Sequence, residues 1–137
     1  EMAKQGAPDA REMRLRSAPP DQLYQITGIL DRMDRDTAGA PIIVDYKTGK
    51  PPNVDKYPKA TRDRILDEKW LQLRIYAMML AWERGEQAAE LRLVYLGGDG
   101  DGAVHTSPCG PDDLERTERE VRQVWVRNPG GVGGGKF

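Results

Sequence analysis

The chain carries a single cysteine, Cys109, and a single histidine, His105, among its 137 residues. One cysteine excludes an intramolecular disulfide and any cysteine-based metal cluster within the chain. Cys109 sits between Pro108 and Gly110 with no histidine or acid arranged near it, and is read as inert. Apolar runs of membrane-spanning length are missing, and so is a signal-peptide pattern. The expectation is a soluble, cytoplasmic protein with no membrane partner. A dominant charge sign is missing as well: 21 Lys+Arg stand against 22 Asp+Glu, a formal net charge of −1. Bulk charge therefore announces no nucleic-acid binder, and any electropositive surface has to come from local clustering. The length suits one domain with a real core rather than two.

What the chain does contain is the stretch Ile42-Ile43-Val44-Asp45-Tyr46-Lys47-Thr48-Gly49-Lys50. It reads as a buried strand that ends in a Thr-Gly turn. Side chains alternate along a strand, so Asp45 and Lys47 share one face with Ile43, while Ile42, Val44 and Tyr46 take the other. Opposite charges on the semi-buried side of a strand carry a desolvation cost that a purely structural strand avoids. The pattern points to chemistry.

Upstream, Glu12–Ser17 alternates as a first strand that Pro19, Pro20 and Asp21 end. A second strand is expected from about Leu23 to Asp34, forming an antiparallel hairpin with the Ile42 strand across the loop at 36–41. With Asp34 opposite Ile42, Asp31 falls opposite Asp45. Like charges there repel, and a hard divalent cation such as Mg²⁺ turns that repulsion into ligation. Two acids and a lysine on one sheet face form a metal-site pattern. A one-residue slip would move Asp31 to the other face.

Residues 51–66 read as a long connection holding Lys56, Lys59, Arg62 and Arg64. Two readings stand side by side, a solvated loop and a phosphate-contacting one. From about Asp67 to Arg84 the period turns helical, with Leu71, Ile75, Met78 and Trp82 as the apolar stripe and Gly85 as the stop. Gln72 and Tyr76, four apart, reach toward one place; edging the core is their bland reading. Ala88–Leu96 is a strand that completes a βαβ-type unit, followed by a Gly-Asp turn at 97–102 and a short strand at 103–106. A second helix begins at Pro111-Asp112-Asp113, its inner face supplied by Leu114, Val121, Val124 and Trp125. The three tryptophans read as core, and His105 as a surface strand residue. Residues 1–10 are expected to be flexible, 11–127 folded, and the Gly-rich 128–137 disordered.

Three blocks now stand in order: Gly28-x-x-Asp31-Arg32, Asp45-Tyr46-Lys47-Thr48-Gly49 and Gln72-x-x-x-Tyr76-Ala77. Their order and chemistry resemble the PD-(D/E)XK nuclease superfamily, in particular its RecB-like branch. The resemblance implies an α/β fold, a central mixed sheet flanked by helices with a restriction-endonuclease-like core. It implies that Asp31 and Asp45, helped by the backbone carbonyl of Tyr46, coordinate Mg²⁺ or Mn²⁺. Lys47 would orient or activate the attacking water and offset charge on the phosphorus centre. Gln72 and Tyr76 would contact the DNA backbone or brace the site, with Arg32, Lys50, Lys59 and Arg62 as further DNA contacts or supports. Arg32 and Asp34 read equally well as an ion pair supporting the hairpin.

Relatives of this branch usually supply one more ligand, a His or Glu, from a helix before the first strand. This chain offers little room for that helix, and Glu12 is the internal substitute. Some relatives carry a cysteine-ligated iron–sulfur cluster; none is expected within this chain. The implied function is metal-dependent hydrolysis of DNA, exonucleolytic, in repair or recombination. The alternative is a nuclease-fold module that binds DNA or a partner helicase and cuts poorly. A small-molecule enzyme is remote, because no Gly-rich strand–helix turn cradles a nucleotide.

Overall fold

The computed structural model describes residues 12–97 and 103–128 together with a short strand at 135–136. Its elements in chain order are β1 (Met13–Ser17), β2 (Ile26–Leu30), β3 (Arg32–Arg35), β4 (Pro41–Lys47), α1 (Lys59–Arg84), β5 (Glu90–Tyr95), β6 (Val104–Pro108), α2 (Pro111–Arg127) and β7 (Gly135–Lys136). They build a mixed β-structure with two helices. One sheet has the order β1-β2-β7 and the other β3-β4-β5-β6.

The single strand expected from Leu23 to Asp34 is two strands. Asp31 is a bend at which the chain leaves β2 in one sheet and enters β3 in the other. The hydrophobic pattern runs through this bend because Leu30 and Met33, on either side of it, are both buried in one core. Beyond the bend the expected register holds: Asp34 opposes Ile42, and the β3–β4 ladder runs antiparallel from Arg35–Pro41 to Arg32–Val44. The connecting turn saturates its own backbone. Asp36 accepts the amides of Ala38 and Ala40 at 2.9 Å each, and Gly39 takes a positive φ of 87°.

Parallel pairing of β4 with β5 needs a crossover, and α1 is that crossover. The helix starts at Lys59 rather than at Asp67, so the connection ends at Pro58. Its first two turns carry no continuous apolar stripe and no residue buried from solvent, which hid them from a periodicity argument. From Leu73 to Leu80 the opposite holds, and every residue is buried. This half packs on β1, β2, β4 and β5 and also on α2, so a single stripe underestimates its covered surface. Gly85 ends the helix at φ 68°, its amide reaching Ala81 O at 2.9 Å.

On α2 the expected inner face is part right. Leu114, Val121 and Trp125 pack against the core, but Val124 is exposed and the fully buried residue is Thr117. Thr117 is matched to Arg74 of α1, itself buried, whose guanidinium donates to Thr117 Oγ1 at 2.8 Å and also reaches Glu120 and Asp67. The Thr117 hydroxyl donates to Asp113 O at 2.7 Å. Nearby, Tyr24 packs on Trp82 and Trp125 at ring-centroid distances of 6.3 and 5.8 Å. All three tryptophans lie against the core, as expected.

The Gly-rich tail and the first ten residues fall mostly outside the described residues; within the tail, Ile26 and Thr27 of β2 pair in parallel with Gly135 and Lys136. Among the described residues no helix is long and apolar enough to cross a membrane.

Candidate active site

Alternation along β4 sends Asp45 and Lys47 to the face that α1 covers. Asp45 is 7% exposed, buried between Ile43 below it and the helix above. Lys47 Nζ stands 2.8 Å from Asp45 Oδ2 as its counter-ion, yet outside hydrogen-bond geometry, so this buried oxygen has no hydrogen-bond donor. Burial pushes the Asp45 carboxyl above the usual carboxylate range. Asp31 beside it pushes the same way, and the Lys47 ammonium opposes both. Burial and Asp31 thus disfavour the Asp45 anion, and Lys47 at 2.8 Å offsets them in part.

Asp31 comes from the bend between the sheets. Its Oδ2 accepts the Tyr46 amide at 3.0 Å, which fixes the carboxylate against β4 and beside Asp45. The bend that breaks the second strand is thus what delivers its acid.

The helix contributes Gln72 and Tyr76, one turn apart. Gln72 Oε1 lies 3.5 Å from Lys47 Nζ, and Gln72 Nε2 donates to the Tyr76 hydroxyl at 3.1 Å. The Tyr76 phenol is pushed up by burial and then by the charges of Asp45 and Asp31. The three sequence blocks therefore meet at one place.

The remaining candidates do not. Arg32 pairs across the ladder with Val44 and so lies on the opposite face, bound to Asp34 at 2.7 Å and donating to the Tyr46 hydroxyl at 2.9 Å. It braces the hairpin. Lys59 is in the first turn of α1, exposed and paired with Asp63 at 2.7 Å, with Arg62 on the same helical segment rather than in a loop. Lys50 is exposed just past the Thr48-Gly49 turn. Glu12 is exposed one residue before β1. Among the described residues no group of three or more His, Cys, Asp or Glu side chains is gathered to hold a metal, so Glu12 does not complete a three-acid set with Asp31 and Asp45.

Two site features escaped the sequence. Gly97 abuts Gly49 so closely that a Cβ at 97 would stand 2.7 Å from the Gly49 carbonyl carbon, and its amide donates to Gly49 O at 2.8 Å. With Gly49 itself at φ 85°, two glycines clamp the turn that follows Lys47. The Gly-rich run at 97–102 suggested only a turn; its first glycine has this separate role, and residues 98–102 lie outside the described set. The second feature is Tyr95, which opposes Lys47 across β4–β5 and whose phenol is pushed up by burial, with Lys47 opposing that shift and Asp45 adding to it.

A divalent cation can be tested against this donor set. Two neighbouring carboxylates, Asp31 from the bend and Asp45 from β4, the latter with a buried oxygen that receives no hydrogen bond, suit a hard oxygen-seeking ion. The residues fit.

Comparison with known proteins agrees with the geometry. No curated protein matches the chain. Among solved structures, the crystal structure of SSO0001 aligns at a TM-score of 0.50 and 19% identity, covering 93% of this chain and 55% of that one. The likeness is one of fold, and the chain spans about half the length of that structure. The sequence profile of the PD-(D/E)XK nuclease superfamily matches residues 2–132, nearly the whole chain and all three blocks. By that match, the chain belongs to the PD-(D/E)XK nuclease superfamily.

Proposed function

We propose that the chain is a metal-dependent deoxyribonuclease of RecB-like type, hydrolysing DNA phosphodiesters exonucleolytically in repair or recombination. The observation that carries the reading is the buried Asp45 oxygen without a hydrogen-bond donor, placed between Asp31 and Lys47. Asp31, Asp45 and the Tyr46 carbonyl would hold Mg²⁺ or Mn²⁺. Such an ion polarises a phosphoryl oxygen and lowers the pKa of a bound water.

The chain's own groups do the rest. Asp31, anchored by the Tyr46 amide, and Asp45, anchored by burial, are fixed before substrate arrives, so little reorganisation accompanies the reaction. Lys47 holds its ammonium where negative charge develops in the transition state. Gln72 touches that ammonium and is itself tied to Tyr76, so α1 sets the position of Lys47.

A second reading is a module that binds DNA, or a partner helicase, and cuts weakly. The absence of a third gathered acid among the described residues favours it. The two separate in one experiment: cleavage of end-labelled linear and circular DNA with Mg²⁺, Mn²⁺ or EDTA, alongside Asp45→Ala. Metal-dependent cutting of linear DNA, lost in the variant, is expected. DNA and metal binding by the wild type with no cutting would select the second reading.

A further inference from the structure

Beyond the catalytic blocks, α1 carries a third residue on the same stripe. Lys69, Gln72 and Tyr76 are spaced three and four apart, so all three look toward the sheet face that holds Asp45 and Lys47. Lys69 is half-buried, and burial pushes its ammonium below the usual lysine range. Its partners among the described residues are the Nδ1 of His105 on β6 and the ring of the adjacent Trp70, at 5.5 Å from the centroid. Neither is a carboxylate. An ammonium has only donors, so the imidazole accepts at Nδ1 and carries its proton on Nε2.

The placement is ordered. Tyr95 on β5 opposes Lys47 on β4, and the His105 ring packs on Tyr95 at a centroid distance of 5.3 Å. From Lys47 the row runs across β5 to β6, where Lys69 descends from the helix. Two strand spacings amount to roughly 10 Å. One of the three ammonium protons is directed at His105, which orients the group. A half-buried cation on the helix face over the sheet, with no carboxylate partner among the described residues, is a poor structural element and a good phosphate ligand. His105 thus has a use that its reading as a plain surface strand residue did not include.

We propose that Lys69, oriented by His105 over the Tyr95 ring, binds a phosphate of the nucleic-acid strand next to the one cleaved, so that the substrate backbone runs from Lys47 across β5 toward β6. The inference rests on the nuclease reading above and adds the direction of the substrate strand. Lys69 is a substrate-binding residue, and His105 and Tyr95 position it.

The test is oligonucleotide binding in EDTA, which keeps cleavage off, measured against salt for wild type and Lys69→Met. The variant keeps the aliphatic stem and loses the charge. Its log Kd against log salt is expected to flatten by about 0.7–0.9, the loss of one phosphate contact. A second measurement does not depend on the variant: neutral methylphosphonate linkages are placed one at a time along the oligonucleotide. One position should weaken wild-type binding and leave Lys69→Met unaffected. An unchanged slope, or linkages that weaken both proteins equally, overturns this inference alone. A wild type with no salt-dependent oligonucleotide binding overturns it together with the nuclease reading.

Discussion

Two regions of this molecule bury charge, and they do so in opposite ways. At the joint between α1 and α2, the Arg74 guanidinium is 3% exposed but reaches Thr117, Glu120 and Asp67, and Arg116 closes on the same Asp67 at 3.0 Å. Only Arg74 Nε is left without a partner. At the end of β4, Asp45 is nearly as buried but has a like-charged neighbour in Asp31 and a single counter-ion, Lys47 at 2.8 Å. The first arrangement holds two helices together. The second sets a buried acid against a like charge with Lys47 as its one counter-ion, a pairing that a purely structural design avoids.

The comparison can be broken in order of expected effect. Arg74→Ala should lower stability by about 2–4 kcal/mol, the range for truncating a long buried side chain, read by urea unfolding. A loss below about 0.5 kcal/mol, the size of an ordinary surface change, would mean that the joint is not structural. Gly97→Ala should cost about 1–3 kcal/mol through overpacking against Gly49 and should lower kcat by moving Lys47. Unchanged kcat with lowered stability would detach the glycine clamp from catalysis.

The smallest effect has the opposite sign. Asp45→Asn should raise Tm slightly at neutral pH in metal-free buffer. Because burial raises the Asp45 carboxyl in the folded state, its favourable contribution is complete below the ordinary carboxylate range and disappears as pH rises through the raised value. The advantage of the variant should therefore be present at pH 7 and shrink on acidification through that window. A Tm lowered by Asp45→Asn at pH 7 would mean that the site charge is stabilising, and the contrast with Arg74 would fail.

Much of the site was legible because a strand's period of two is short and strict. Seven residues of β4 assign Asp45 and Lys47 to one face, and the Asp36 turn sets the register that brings Asp31 opposite. The helix was legible only where it is buried. Its first turns, Lys59–Leu66, touch too little core to carry a pattern, so Lys59 and Arg62 read as loop. Arg74 and Thr117 were invisible for a chemical reason: a hydropathy pattern scores them as surface, and their burial depends on each other's hydrogen bonds. Gly97 and Lys69 depend on contacts between distant segments, Gly49 and His105, that no local spacing encodes.

The bend at Asp31 has a mechanical consequence. Asp31 is the junction between the two sheets, one residue past β2 and one before β3, while Asp45 lies inside the β3–β6 sheet. Because the Asp31 carboxylate accepts the Tyr46 amide at 3.0 Å and Arg32 pairs with Val44, the acid pair is held to β4 across the junction of the two sheets. A change at the junction would therefore be felt by both acids together.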